Sequence, residues 1–148
     1  MLKKSLFQHC LDHLNKNLVL YEKRKLEILA ALESESKSSA GDKHETGRAM
    51  VQLEREKLGE QIKATERNLG ILIPLEKHKT SKKAGLGSLV KTDQLNYYIA
   101  ISTPAINIDN TDYFCISGQS PIGKLLLGKK VGEGISFNGK TSTITEIL

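Results

Sequence analysis

Tryptophan is absent from this 148-residue chain, and aromatic residues of every kind make up only 5% of it. Apolar residues reach 39%, an ordinary share with no surplus, so one or two small domains are expected rather than a single large core. Proline is scarce too. The first of three stands at Pro74, so nothing of that kind breaks a helix before it. Cysteine occurs twice, at Cys10 and Cys115, with no second pair and no metal-ligand spacing. Each sits in an apolar pattern, which predicts two reduced, buried thiols in a cytoplasmic protein. No run approaches the roughly 18 apolar residues of a membrane span, and the lysines at 3 and 4 precede no apolar run of signal-peptide length, so no membrane partner is expected.

The net charge is +5, from 22 basic and 17 acidic residues. Its distribution says more than its total. Residues 1–72 carry 13 basic and 11 acidic groups, residues 73–86 four and one, and residues 87–148 five of each. The excess therefore lies on the N-terminal half and the segment after it. Such an excess suits nucleic acid or an acidic surface at modest specificity, and plain solubility explains Lys77, Lys79, Lys82 and Lys83 as well.

Two stretches carry a heptad pattern. Phe7, Leu11, Leu14, Leu18, Tyr21, Lys25, Ile28 and Leu32 alternate in steps of four and three, with Lys25 the one polar position. Val51, Arg55, Leu58, Ile62, Thr65, Leu69 and Leu72 repeat the alternation more weakly. Both read as helices with a coiled-coil seam. Gly59 inside the second costs about 1 kcal/mol of helix propensity. The serine-rich stretch from Ser34 to Gly41 is expected to stop the first helix. So short a break predicts an antiparallel hairpin over residues 1–73, with an acidic tip near 41–48. Some thirty residues at 1.5 Å each reach roughly 45–50 Å.

Residues 74–87, basic and then glycine-rich, read as a linker. Beyond it the period changes to two. Leu89-Val90, Tyr97 to Ile101, Tyr113 to Ile116, Ile135 to Phe137 and Ser142 to Ile147 read as strands, with turns at Asn110 and at Asn138-Gly139. One short helix interrupts them: Ser120 suits the N-cap, Pro121 the first helical position and Gly128 the left-handed position after the end. Residues 102–112 read equally as strand or loop. The fold class is therefore α+β: a long antiparallel coiled-coil hairpin, then a small antiparallel β-sheet domain over 88–148 with one short helix.

The segment Ile116-Ser117-Gly118-Gln119-Ser120-Pro121-Ile122-Gly123-Lys124-Leu125-Leu126-Leu127-Gly128-Lys129-Lys130-Val131-Gly132-Glu133 closely resembles the C-terminal signature of bacterial Gre-type transcript cleavage factors. Only Leu125 departs from it, where that family usually has alanine. The order of parts agrees over the whole chain, and the sequence match is strong from about residue 113 onward. The resemblance implies an FKBP-like C-terminal domain that docks on RNA polymerase, with Ser120, Pro121, Ile122, Gly123, Leu126, Gly128 and Lys129 as partner-binding residues. It implies a hairpin that enters the polymerase secondary channel and reaches the 3′ end of the nascent RNA. Two acids of the family's tip map onto Asp42 and Glu45, which would be catalytic and would hold Mg2+ jointly with the polymerase. The factor would be no enzyme on its own, would bind no cofactor alone, and is expected to be a monomer. Arg48 stands where the family has a third acid, and Lys43 and His44 replace leucine and serine.

The bland readings stand beside these. Asp42 and Glu45 match a helix N-cap and its third helical residue, a capping-box pattern that needs no chemistry. His44 between them could shuttle a proton near neutral pH or be a solvated turn residue. The residues from Ser120 to Gly128 could simply cap and pack a helix, although one face cannot bury Leu125, Leu126 and Leu127 together. Three functions remain open: a cleavage-stimulating elongation factor, a channel-binding regulator that does not cleave (suggested by Arg48 and Lys43), and a peptidyl-prolyl isomerase. The last would need an aromatic-lined pocket from Tyr97, Tyr98, Tyr113, Phe114 and Phe137.

Overall fold

The computed structural model describes the backbone of residues 1–37 and 41–148, and the side chains outside 35–45. Two long helices, α1 (Leu2–Lys37) and α2 (Gly41–Leu72), lead into a 3-10 turn at Ile73–Lys77. Then come β1 (Leu89–Thr92), β2 (Asn96–Ala100), β3 (Ile106–Ile108), β4 (Thr111–Ser117), the short helix α3 (Pro121–Leu126), β5 (Gly134–Phe137) and β6 (Lys140–Ile147). By contacts the chain divides into two units. One joins Met1–His13 with Leu69–Leu148, and the other is Leu14–Asn68. The composition-based boundary at 74–87 follows a different criterion from these contact boundaries.

The unit Leu14–Asn68 is a helical hairpin. Its seam is the heptad stripe: Leu14, Ile28, Leu58 and Thr65 are buried, Leu18, Tyr21, Leu32, Val51 and Ile62 are half-buried, and Lys25 and Arg55 are exposed. Thr65 interrupts the stripe chemically yet sits inside it. Its hydroxyl donates to the Gln61 carbonyl 2.9 Å away, one turn back, so no polar group is left unpaired. Arg24 of α1 bonds Glu54 of α2 through Nε at 2.8 Å and also pairs with Glu27, which fixes the register of the two helices. This pair is about half exposed, so solvent screens it and it adds little to stability. Helix α1 runs to Lys37, four residues into the serine-rich stretch expected to end it, because serine is tolerated in a last helical turn at a cost of only tenths of a kcal/mol.

The other unit holds a six-stranded sheet in the order β3-β4-β2-β1-β6-β5. The sheet is mixed rather than wholly antiparallel. Strands β2 and β4 run parallel, with Tyr97 opposite Phe114 and Tyr98 opposite Cys115. The cause lies in residues 102–112. After β2 the chain swings out, forms the three-residue strand β3, and turns back at Asp109 and Asn110, both in the left-handed region (φ 51° and 63°). Strand β4 then enters between β3 and β2 in the direction of β2. The hairpin at Asn138-Gly139 has the expected paired left-handed residues.

Strand β2 is buried along Tyr97–Ala100, so it shows no polar alternation. Tyr97 and Ile99 face a core of Val90, Ile122, Leu126, Ile135 and Ile144. Tyr98, one residue out of phase, meets the first turns of α1, where Leu6, Phe7 and Cys10 are buried. The end of the expected linker is pinned to this unit. The Ala84 N–H donates to the Lys129 carbonyl and the Gly128 N–H to the Ala84 carbonyl, each at 2.8 Å. Gly87, at φ 88°, leaves room for the His78 ring, which would lie 2.6 Å from any Cβ placed there.

Gly59 lies in mid-helix with a helical backbone, and a Cβ there meets nothing within 4 Å. Gly59→Ala is therefore expected to stabilise the chain by about 0.5–1 kcal/mol in urea unfolding. Leu126 is fully buried, and Leu126→Ala is expected to cost about 2–5 kcal/mol in the same measurement.

Candidate functional site

The short helix α3 is built by its cap. Ser120 Oγ accepts from the Gly123 N–H at 3.1 Å and donates to the Ser117 carbonyl at 2.6 Å, so one hydroxyl joins the end of β4 to the first turn of α3. Pro121 follows at the first helical position, where its missing N–H costs nothing. Gly128 takes the left-handed conformation (φ 83°) after the helix and, through Ala84, ties the chain back to residues 84–88.

Of the residues expected to bind a partner, Ile122, Gly123 and Leu126 point inward and are buried, and Ser120 is engaged in the cap. Gly128 and Lys129 contribute their backbones to the Ala84 clamp, while Lys129 Nζ lies 3.9 Å from Glu133. The outward apolar side chains are their neighbours: Leu125, Leu127 and Val131, with Leu86 beside Leu127 across Gly118. The expectation that three successive leucines cannot share one face is met, with Leu126 inside and Leu125 and Leu127 outside.

Beside α3 lies a groove of about 430 Å³ whose walls are Tyr97, Phe114, Ile116, Ile122, Ile135 and Phe137. Tyr97 and Phe114 stand on adjacent strands with ring centroids 6.2 Å apart and planes tilted by 42°, a favourable aromatic geometry. Burial pushes the Tyr97 phenol above its ordinary range, so it remains a neutral donor at physiological pH. The groove is thus mainly apolar, with Gln94, Asn138, Lys140 and Ser142 as further polar lining beside the Tyr97 phenol, suited to an apolar side chain or a short peptide segment. Three of the five aromatic residues named for a binding pocket share its wall. Ile116 and Ile135 were not singled out, although their same-face spacing with Phe114 and Phe137 is a period-two signal.

The tip residues are different. The backbone of α2 begins at Gly41, so position 42 lies in its first turn and position 45 just beyond it. The side chains of Asp42, Lys43, His44 and Glu45 lie outside those described. Arg48, in the next turn, is exposed. Among the described residues no group of three or more His, Cys, Asp or Glu side chains could hold a metal ion, and no helix is long and apolar enough to cross a membrane.

No protein-family model matches the chain, and no curated protein matches it. Among solved structures it is similar to the GreA factor homolog 1 (Gfh1) protein of Thermus thermophilus. That structure is 22% identical, with 96% of this chain and 94% of the other covered and a TM-score of 0.38. It is similar also to a structure of the transcription factor Gfh1, at 22% identity, with 95% and 92% covered and a TM-score of 0.35.

Proposed function

We propose that the chain is a Gre-like transcription elongation factor that binds RNA polymerase and promotes cleavage of backtracked transcripts through its tip carboxylates. The observation that carries this reading is the segment 116–133. Its match to the family signature is dense, and its residues build α3, the Ala84 clamp and one wall of the apolar groove. The helical hairpin preceding that unit supports the same reading.

In this reading the groove and the outward Leu125, Leu127 and Val131 grip the polymerase by apolar burial, and Lys124 and Lys130 border the contact. The hairpin enters the secondary channel. Asp42 and Glu45 stand three positions apart in sequence, the spacing of the family's two tip acids. Two carboxylates suit a hard oxygen-seeking cation and fall short of its full ligand set, so they would hold Mg2+ together with acids of the polymerase. When bound, the ion would activate water for phosphodiester hydrolysis at the RNA 3′ end. The chain's own part is to supply negative charge at a fixed place, so the factor is no enzyme alone.

Arg48 favours a second reading. An exposed guanidinium three positions from Glu45 and six from Asp42 in sequence would oppose a divalent cation, which suits a regulator that occupies the channel without cleaving.

Backtracked elongation complexes separate the two. Cleavage stimulation predicts that the full chain shortens the transcript, and that Asp42→Ala or Glu45→Ala slows this at least about tenfold while still co-purifying with polymerase. Equal rates for wild type and Asp42→Ala, with competition against a cleaving factor, would establish the regulator instead. Failure of the full chain to bind polymerase would remove both.

A further inference from the structure

The first turns of α1, the 3-10 turn at Ile73–Lys77 and strand β2 line a cavity of about 330 Å³, separate from the groove beside α3. Lys3, Lys4 and His78 form its basic side, and Phe7, Leu75 and Tyr98 its apolar side. All six belong to the unit that joins Met1–His13 to Leu69–Leu148.

Lys3 Nζ lies 2.9 Å from His78 Nδ1. An ammonium can only donate, so the imidazole accepts through Nδ1 and is neutral. That bond uses one of three ammonium hydrogens and leaves two for another acceptor. The ring is held in place from behind. The His78 N–H donates to the Leu75 carbonyl at 3.0 Å, and Gly87 leaves room for the imidazole. Neither group carries charge comfortably here. Burial lowers the Lys3 ammonium from its ordinary range, and burial together with the Lys3 charge lowers His78. An anion beside them offsets both effects.

Two further observations call for the same kind of ligand. Helix α1 opens with Lys3 and Lys4 and has no acid in its first turn, although the positive end of a helix favours anions and disfavours lysines. Tyr98 is only 1% exposed and lines the cavity, yet among the described residues its hydroxyl has no hydrogen-bond partner. Burial pushes that phenol up, so it remains a donor. A buried hydroxyl is normally paired, and a polar ligand atom would pair it. Glu76, exposed, is the one acid among the lining residues, so two ammonium groups stand against one carboxylate.

We propose that this cavity binds a small organic phosphate, its phosphoryl oxygens accepting from Lys3 and Lys4 and its body lying against Phe7, Leu75 and Tyr98. A phosphoryl group offers three acceptor oxygens and up to two negative charges, which suits two point-charge donors better than a carboxylate does. The cavity is of a size that takes a ring as well as the phosphoryl group. Binding is non-covalent, and polymerase takes no part in it, so it stands or falls apart from the transcription reading.

The test titrates the full chain with phenyl phosphate at low ionic strength, followed by calorimetry and by amide shifts in isotope-labelled protein. The expected result is one-to-one binding with a dissociation constant of about 1 mM or tighter, and shifts at Lys3, Lys4, His78 and Tyr98. Phenol, which has the ring without the charge, should bind at least about tenfold more weakly. Lys3→Gln and Lys4→Gln should each weaken phenyl phosphate at least about threefold, and Glu76→Gln should tighten it about twofold. Absence of binding would overturn the proposal. So would shifts at Lys82, Lys83 and Lys130 instead, equal affinity for phenol, or an affinity that Lys3→Gln leaves unchanged. The wild-type shifts and the exposed Glu76→Gln decide the matter even if Lys3→Gln does not fold.

Discussion

Two helices side by side can bury only one stripe of side chains, and the rest of the structure answers to that limit. Of the 22 buried hydrophobic residues among those described, only Leu14, Ile28 and Leu58 fall within Leu14–Asn68. The remaining nineteen lie in the unit that joins Met1–His13 to Leu69–Leu148. The ends of both long helices belong to that unit, where Leu6, Cys10 and Leu72 are fully buried. Helical order in the seam is therefore lent by packing at the helix ends as much as by the seam itself.

The segment 116–133 works on the same principle of shared residues. Its inward side chains, Ile122 and Leu126, complete a core. Its hydroxyl at Ser120 caps a helix of only six residues, too short to persist without tertiary support. Its backbone at Gly128 and Lys129 captures Ala84. What it leaves outside is apolar: Leu125, Leu127 and Val131. The inward signature residues are spent on the core, so the exposed apolar side chains of this segment are their neighbours in sequence.

Much of this was legible beforehand. The heptad stripe reads directly as a seam because its period is set by helix geometry, and the hairpin at Asn138-Gly139 reads from residues that tolerate positive φ. Ser120, Pro121 and Gly128 mark the ends of α3 because capping is local chemistry. The tip acids are legible only through the family resemblance, since Asp-x-x-Glu at a helix start is equally a cap. Less legible was the inward turn of Ile122 and Leu126, because a motif shows which residues recur and not which way they face. Residues 102–112 read equally as strand or loop because the three residues of β3 are too few to display a period. The parallel pairing of β2 with β4 follows from that same excursion.

The sequence by itself determined the elements: two heptad helices, a run of short strands, and one capped helix, each from local periodicity and backbone preference. Only the tertiary structure decided what those elements share. It buries β2 on both faces, brings Tyr97 and Phe114 into one groove wall, and ties Ala84 to Lys129. These are contacts between residues far apart in the chain, and their partners are chosen by the burial of whole faces rather than by any local signal.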